Sequence, residues 1–194
     1  MSEIETSRAI LVTAPIAEPV TLAEAKKQLE IAASDTAHDA QLSLLIQAAR
    51  EQWEADTDSA VITQTWKVYA EAFGDDEIYL PKRPIQSITH VKYYDSGNVL
   101  QTLSSDVYSL DIAERAVRLD SMKIWPSVYD RWDAVTVTYL AGYSSALSIP
   151  AIHKQAILLL VGYYFDANRG ENDRPNDQKA YENLVNKFMR SNYP

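Results

Sequence analysis

At 194 residues, with 46% hydrophobic and 23% charged side chains, the chain has the composition of one ordinary soluble domain, or of a domain with a small companion. A formal charge of −9 opposes a tight grip on nucleic acid, because phosphate neutralisation rewards basic surfaces. The lack of cysteine excludes disulfides and thiolate metal sites, and only five glycines leave little room for a phosphate-cradling loop.

The charge is unevenly spread. Residues 1–58 hold eleven Asp/Glu against four Lys/Arg, whereas residues 149–194 hold five against six. The two ends are therefore suited to different partners. The start "MSEIETSRAI" is acidic and lacks the apolar core of a signal peptide. The longest apolar run, Ala156–Phe165, is about half a membrane span. A cytosolic protein with no membrane partner is expected.

In chain order, "VTLAEAKKQLEI" (Val20–Ile31) predicts a first helix, with Thr21 and Glu24 spaced as a capping box. The stretch from Ser34 to Ser59 predicts a longer helix starting near Asp35 or Thr36. Leu42, Leu45, Ile46, Ala49 and Trp53 recur there at helical spacing. The period then changes. "VITQTWKVYAEAF" (Val61–Phe73) is rich in β-branched and aromatic residues, with Trp66, Val68, Ala70 and Ala72 to one side. A turn at Gly74–Glu77 and a short "IYL" strand follow.

Pro81 and Pro84 cannot donate ladder hydrogen bonds and favour extended geometry in the residue before each. They are expected to hold Lys82 and Arg83 on an extended crossover. "IQSITHVKYY" alternates as a strand, "DSGN" (Asp95–Asn98) has hairpin-turn chemistry, and "VLQTL" returns. Further short strands are predicted around Val107–Leu110, Ala116–Leu119 and Ala134–Leu140. "IPAIHKQAILLLVGYYFDANR" (Ile149–Arg169) predicts a third long helix, with Pro150 at its first position. After the polar "GENDRPND" turn, a last amphipathic helix turns Tyr181, Leu184, Val185 and Phe188 inward.

These elements define an α+β protein: a helical body of about four helices, with a small antiparallel β subdomain inserted between the second and third long helices. The parts are 1–60, 61–145 and 146–194, the last packing with the first. The third long helix carries two apolar stripes. A helix apolar all round is buried all round. The stripe Ile157, Leu158, Val161, Tyr164 and Phe165 is therefore assigned to contacts with a neighbouring copy.

Motifs for chemistry are missing. His38, His90 and His153 stand apart, without the paired ligands of a metal site. The acids of "DDE" (Asp75–Glu77) and "GENDRPND" read as solvated turns, and the latter lacks the ligand pattern of a calcium loop. There is no G-x-S-x-G elbow, Walker loop or dinucleotide fingerprint. Lys82 and Arg83, with Tyr93 and Tyr94 further on, would suit phosphate contact and base stacking. A loop pair and a half-buried strand explain them better. No catalytic residue, metal ligand or cofactor is assigned.

"VTLAEAKKQLEI" followed by "DAQLSLLIQAAREQWEADTDSAVITQTW", then "LPKRPIQSITHVKYYD", "VTVTYLAGY" and the proline-started third helix, come in a familiar order. The chain resembles, from about Val20 to Arg169, the head–tail connector proteins of tailed double-stranded DNA phages, also called neck adaptor or head-completion proteins. The resemblance implies a non-enzymatic virion component, assembled in the host cytoplasm and located in the neck. It implies rings of about twelve copies docked under a portal protein, passing DNA without sequence-specific binding and presenting a platform to a downstream neck or tail-completion protein. On that expectation the charged face of the second helix, Arg50, Glu51, Glu54 and Asp58, lines the channel. Lys187, Met189, Arg190 and Tyr193 near the C-terminus dock on the portal. In "DANRG" Gly170 intervenes where the resemblance would place an acidic residue, so Glu171 receives no role. The rival readings are a monomeric assembly scaffold or binding module, and a metal-dependent hydrolase using the acidic loops.

Overall fold

The computed structural model describes residues 8–74, 77–170 and 176–190. They form two compact units, each assembled from separate stretches of chain. A β unit combines the N-terminal segment ending at Ala14 with Thr63–Gly142, and a helical unit combines Pro15–Ile62 with the chain from Tyr143 onward. The described residues thus give an α+β fold with four helices and antiparallel sheets.

The helical unit contains α1 (Leu22–Gln28), α2 (Asp39–Thr57), α3 (Ala151–Arg169) and α4 (Asp177–Arg190). The capping box at α1 is present: Glu24 N–H donates to Thr21 Oγ1 at 3.2 Å, and Thr21 N–H donates to Glu24 Oε2 at 2.7 Å. Helix α2 begins at Asp39, later than expected, because Asp35 is used in a local turn where its Oδ1 accepts from Ala37 N–H. It ends at Asp58, which takes the left-handed C-cap conformation. Pro150 is the N-cap of α3, one position before the expected first turn. The core joins all four helices through residues such as Ala25, Leu42, Ile46, Trp53, Ile157, Val161, Tyr181 and Phe188.

The β unit holds β1 (Arg8–Thr13), β2 (Gln64–Ala70), β3 (Glu77–Tyr79), β4 (Ile85–Tyr94), β5 (Leu100–Thr102), β6 (Tyr108–Asp111), β7 (Ala116–Leu119) and β8 (Val135–Ala141). A five-stranded sheet runs β1-β2-β8-β4-β5 and a three-stranded sheet runs β3-β7-β6, with every pairing antiparallel. The strand run and the hairpin at Asp95–Asn98 stand where the alternation placed them. Strand β1 was not foreseen. It is short, precedes all the helices, and pairs with β2, so its partner lies more than fifty positions along the chain. The Lys82–Arg83 crossover is not extended throughout either, since Lys82 has φ 69 and the Arg83–Pro84 peptide is cis.

Alternation explains the two faces of the larger sheet. Val68, Val137 and Val91 stand opposite one another across β2, β8 and β4 and are buried, as are Val135, Tyr139 and Ala141. Buried residues of the smaller sheet and its approach (Ile78, Leu80, Ala116, Val117) supply further apolar surface, and the Tyr139 hydroxyl donates to the Pro81 carbonyl.

Candidate assembly surfaces

The expected copy-to-copy stripe on α3 belongs to the protein's own core. Ile157 and Val161 have no exposed surface and Phe165 is 3% exposed. Leu158 and Tyr164 are half-buried and pack against the same cluster. The physical reason is that α1, α2 and α4 enclose α3 on more sides than a sequence stripe reveals. The perimeter of α3 therefore does not by itself require a second copy.

The channel assignment on α2 also needs correction. Arg50 and Glu54 are buried, at 4% and 6% exposure. Arg50 Nε donates to Glu18 Oε2 at 2.8 Å, and its Nη1 donates to Glu54 Oε2 at 2.8 Å. The other Glu54 oxygen accepts from Val61 N–H at 2.7 Å, which ties the chain leaving α2 back onto the helix. These two charges are structural fasteners, and such groups are buried because they are paired. Asp58 is half-buried as the helix cap, so Glu51 is the member of this set with a fully exposed side chain.

Sequence reasoning missed a second buried polar link. Trp53 Nε1–H donates to His153 Nδ1 at 2.7 Å, joining α2 to α3 inside the core. His153 also lies edge-on to Trp53, Tyr143 and Phe188. A Trp and a His a hundred positions apart offer no local signal of this pairing. His38 meets Phe165 edge-on at 5.3 Å, and His90 lies on the open face of the larger sheet. Among the described residues, no three His, Cys, Asp or Glu side chains gather where they would hold a metal. No helix among those residues is long and apolar enough to cross a membrane. Of the acidic loops, Asp75, Asp76 and 171–175 lie outside the described residues.

Helix α4 fastens inward through Tyr181 and Phe188, and the Tyr181 hydroxyl donates to Asp56 Oδ2 at 2.6 Å. Burial first, then that bond to a carboxylate, pushes the Tyr181 phenol well above its usual range. The outer face is polar. Asn183, Asn186, Lys187 and Arg190 line a shallow groove along it. Lys187 and Arg190 are thus exposed on one face, Met189 is 49% exposed beside it, and Tyr193 lies outside the described residues.

Tyr93 and Tyr94, as successive strand residues, point to opposite faces and form no stacking platform. Tyr93 meets Phe73 edge-on, while Tyr94 lies under the Arg131 guanidinium, 3.7 Å from its ring centroid. Arg131 is held by Asp133 Oδ1 at 2.5 Å and Oδ2 at 2.9 Å. It belongs to the segment 120–134 between β7 and β8, which lacks regular structure but is pinned at several points. Trp125 stacks on Phe73 at 4.6 Å, Tyr129 N–H donates to Tyr94 O, and Lys123 pairs with Asp106. Ordered loops of this length tend to be functional. This one carries exposed Met122, Ile124, Tyr129 and Trp132.

On the open face of the larger sheet, Lys67, Thr138 and His90 stand in one rung across β2, β8 and β4. Tyr69, Thr136 and Lys92 form the next. Partial burial, then the charges of Lys92 and Lys67, hold the His90 imidazole below its ordinary pKa of 6.5. The shift reports a locally positive surface on an acidic protein.

These features describe a two-unit protein with inward-facing chemistry and exposed contact surfaces, the character of an assembly component. Three solved structures share its fold. A chain from the virion of a native gene transfer agent particle aligns with TM-score 0.74 and 22% identity, covering 93% of this chain and 94% of that one. A chain from the neck of the empty particle, computed with C6 symmetry, gives 0.74 and 21% over 93% and 94%. A chain from the neck of the native particle, computed with C12 symmetry, gives 0.70 and 20% over 92% and 94%. No curated protein matches significantly. Residues 19–109 match the model of the phage gp6-like head-tail connector protein family. The match covers the N-terminal helices and the first half of the β unit, and it establishes the connector resemblance read from the sequence.

Proposed function

We propose that this protein is a structural neck adaptor: identical copies form a ring that docks under a portal and carries the DNA channel toward the tail. The observation that supports it best is the agreement of two comparisons. The connector family match covers residues 19–109, and the fold agrees with neck-particle chains along almost the whole length. The outer face of α4, with Lys187, Arg190 and the neighbouring Met189, is the portal-docking surface in this reading. Its cations and polar groove suit an acidic partner surface. Of the residues first assigned to the channel, Glu51 remains available. The net charge of −9 keeps passing DNA from sticking. The downstream partner is a neck or tail-completion protein, and assembly takes place in the host cytoplasm.

Electron microscopy of the purified protein, alone and mixed with the portal encoded beside it, tests this. The expected result is closed rings with a central opening, seated coaxially on the portal. A chain that stays monomeric with portal present would favour an assembly scaffold instead. Calorimetric heat on adding magnesium, manganese or calcium would point toward the hydrolase alternative.

A further inference from the structure

The open face of the five-stranded sheet and the outer face of α2 have complementary chemistry. On the sheet, Lys67, His90 and Lys92 project among threonines. Trp132, 59% exposed, leans on Tyr69 at its rim with ring centroids 5.5 Å apart. No carboxylate is among the strand residues that the register places on this face of β2, β8 and β4. An antiparallel sheet can leave one face to solvent, but a helix laid across it is a standard way of covering it.

The outer stripe of α2 has the opposite character. Leu44 is 68% exposed, the alanines at 48 and 55 are exposed, and Glu51 and Asp56 provide carboxylates along the same side. Residues 15–62 hold nine Asp/Glu against three Lys/Arg, so no basic surplus neutralises the stripe. The dimensions agree. Glu51 and Asp56 are separated by about 7.5 Å along the helix axis at 1.5 Å per residue. Lys67 and Lys92 are two strands apart, about 10 Å at the usual spacing.

We propose that the open β face of one copy receives the outer stripe of α2 from the next copy, with Trp132 and Leu44 as apolar anchors and Glu51 and Asp56 among the cations of Lys67, His90 and Lys92. The two surfaces are different patches of the same chain, so the contact is head-to-tail. Repetition of such a contact produces a ring when the rotation closes. This rests on the ring reading above and identifies the surfaces that build it. Exposed ion pairs are individually weak, so the anchors supply most of the affinity and the charges set orientation and partner choice.

Charge exchange tests the contact. Lys67→Glu/Lys92→Glu makes the sheet face acidic. Glu51→Lys/Ala55→Lys makes the α2 stripe basic and spares Asp56, which accepts from Tyr181. Sedimentation velocity at low salt is expected to show association of the native chain and at least about tenfold weaker association of either variant alone. An equimolar mixture is expected to recover assembly, because each altered face then meets its altered complement. Trp132→Ser is expected to weaken association while leaving circular dichroism unchanged. Variants that assemble like the native chain would overturn the contact and leave the ring standing. A native chain that never associates would overturn the ring as well. Unchanged assembly of Lys67→Glu/Lys92→Glu with lost retention on a duplex DNA column would assign the face to a phosphate backbone and overturn the proposal.

Discussion

Two buried polar links decide how α2 is held, and both are single-residue matters. The Trp53–His153 bond satisfies two polar atoms in an otherwise apolar core. Trp53→Phe removes the donor that His153 Nδ1 accepts from and is expected to lower unfolding stability by about 1–3 kcal/mol, read from the urea midpoint. Arg50 carries more, since Glu18 and Glu54 both depend on it. Arg50→Met is expected to cost about 3–5 kcal/mol, because it leaves carboxylates without their shared cation. Glu54→Gln is expected to cost less, since an amide oxygen still accepts from Val61 N–H. The capping box adds a pH dependence. The Thr21 backbone N–H bond, then the Thr21 hydroxyl and Lys154, hold the Glu24 carboxyl below its ordinary 4.5 against a smaller opposing effect of burial. A pKa depressed on folding gives stability that is present above the ordinary value and lost as pH falls through the depressed one. Between pH 6 and pH 3 the native urea midpoint is therefore expected to fall further than that of Glu24→Gln.

At the scale of elements, the β4–β5 hairpin is closed by one side chain. Asp95 Oδ1 accepts from Gly97 and Val99 N–H, both at 3.0 Å, and Oδ2 accepts from Gln101 Nε2 at 2.8 Å. The Val99 bond first, then Gln101, keeps this carboxyl below its usual pKa. Asp95→Ala is expected to speed amide hydrogen exchange at Gly97 and Val99 while leaving the β2–β8 amides protected. The hairpin was legible because turn chemistry is local: Asp-Ser-Gly-Asn between alternating runs has few other solutions. The capping box and the α4 stripe were legible for the same reason. Strand β1 was not, because its partner is distant in sequence. The Trp53–His153 and Arg50–Glu18 pairs were hidden likewise, since neither spacing corresponds to a turn of helix or a strand period.

At the scale of the whole molecule, the connector resemblance was readable from the order of motifs, but the surfaces first assigned to assembly were only partly placed well. The stripe on α3 looked surplus because the sequence shows how much of a helix is apolar and not how many neighbours enclose it. Helices α1, α2 and α4 enclose it, and the exposed apolar surface lies instead at Leu44, Trp132, Met122 and Ile124. If α4 is the portal-docking face, Lys187→Glu/Arg190→Glu is expected to abolish portal binding in a pull-down without changing the thermal midpoint by more than about 2 °C, since surface changes usually stay within ±0.5 kcal/mol.

The amino-acid order alone determined what depends on near neighbours: helix and strand periods, caps, turns, the α+β class and the succession of segments that resembles a connector. Tertiary structure decided what depends on meetings between distant residues: which charges are fasteners and which are free to contact a partner, where β1 pairs, and which apolar side chains remain uncovered. The division follows from the physics. Backbone geometry and turn chemistry act over a few residues, whereas burial is set by every element that encloses a side chain, and those elements are drawn from both ends of the chain.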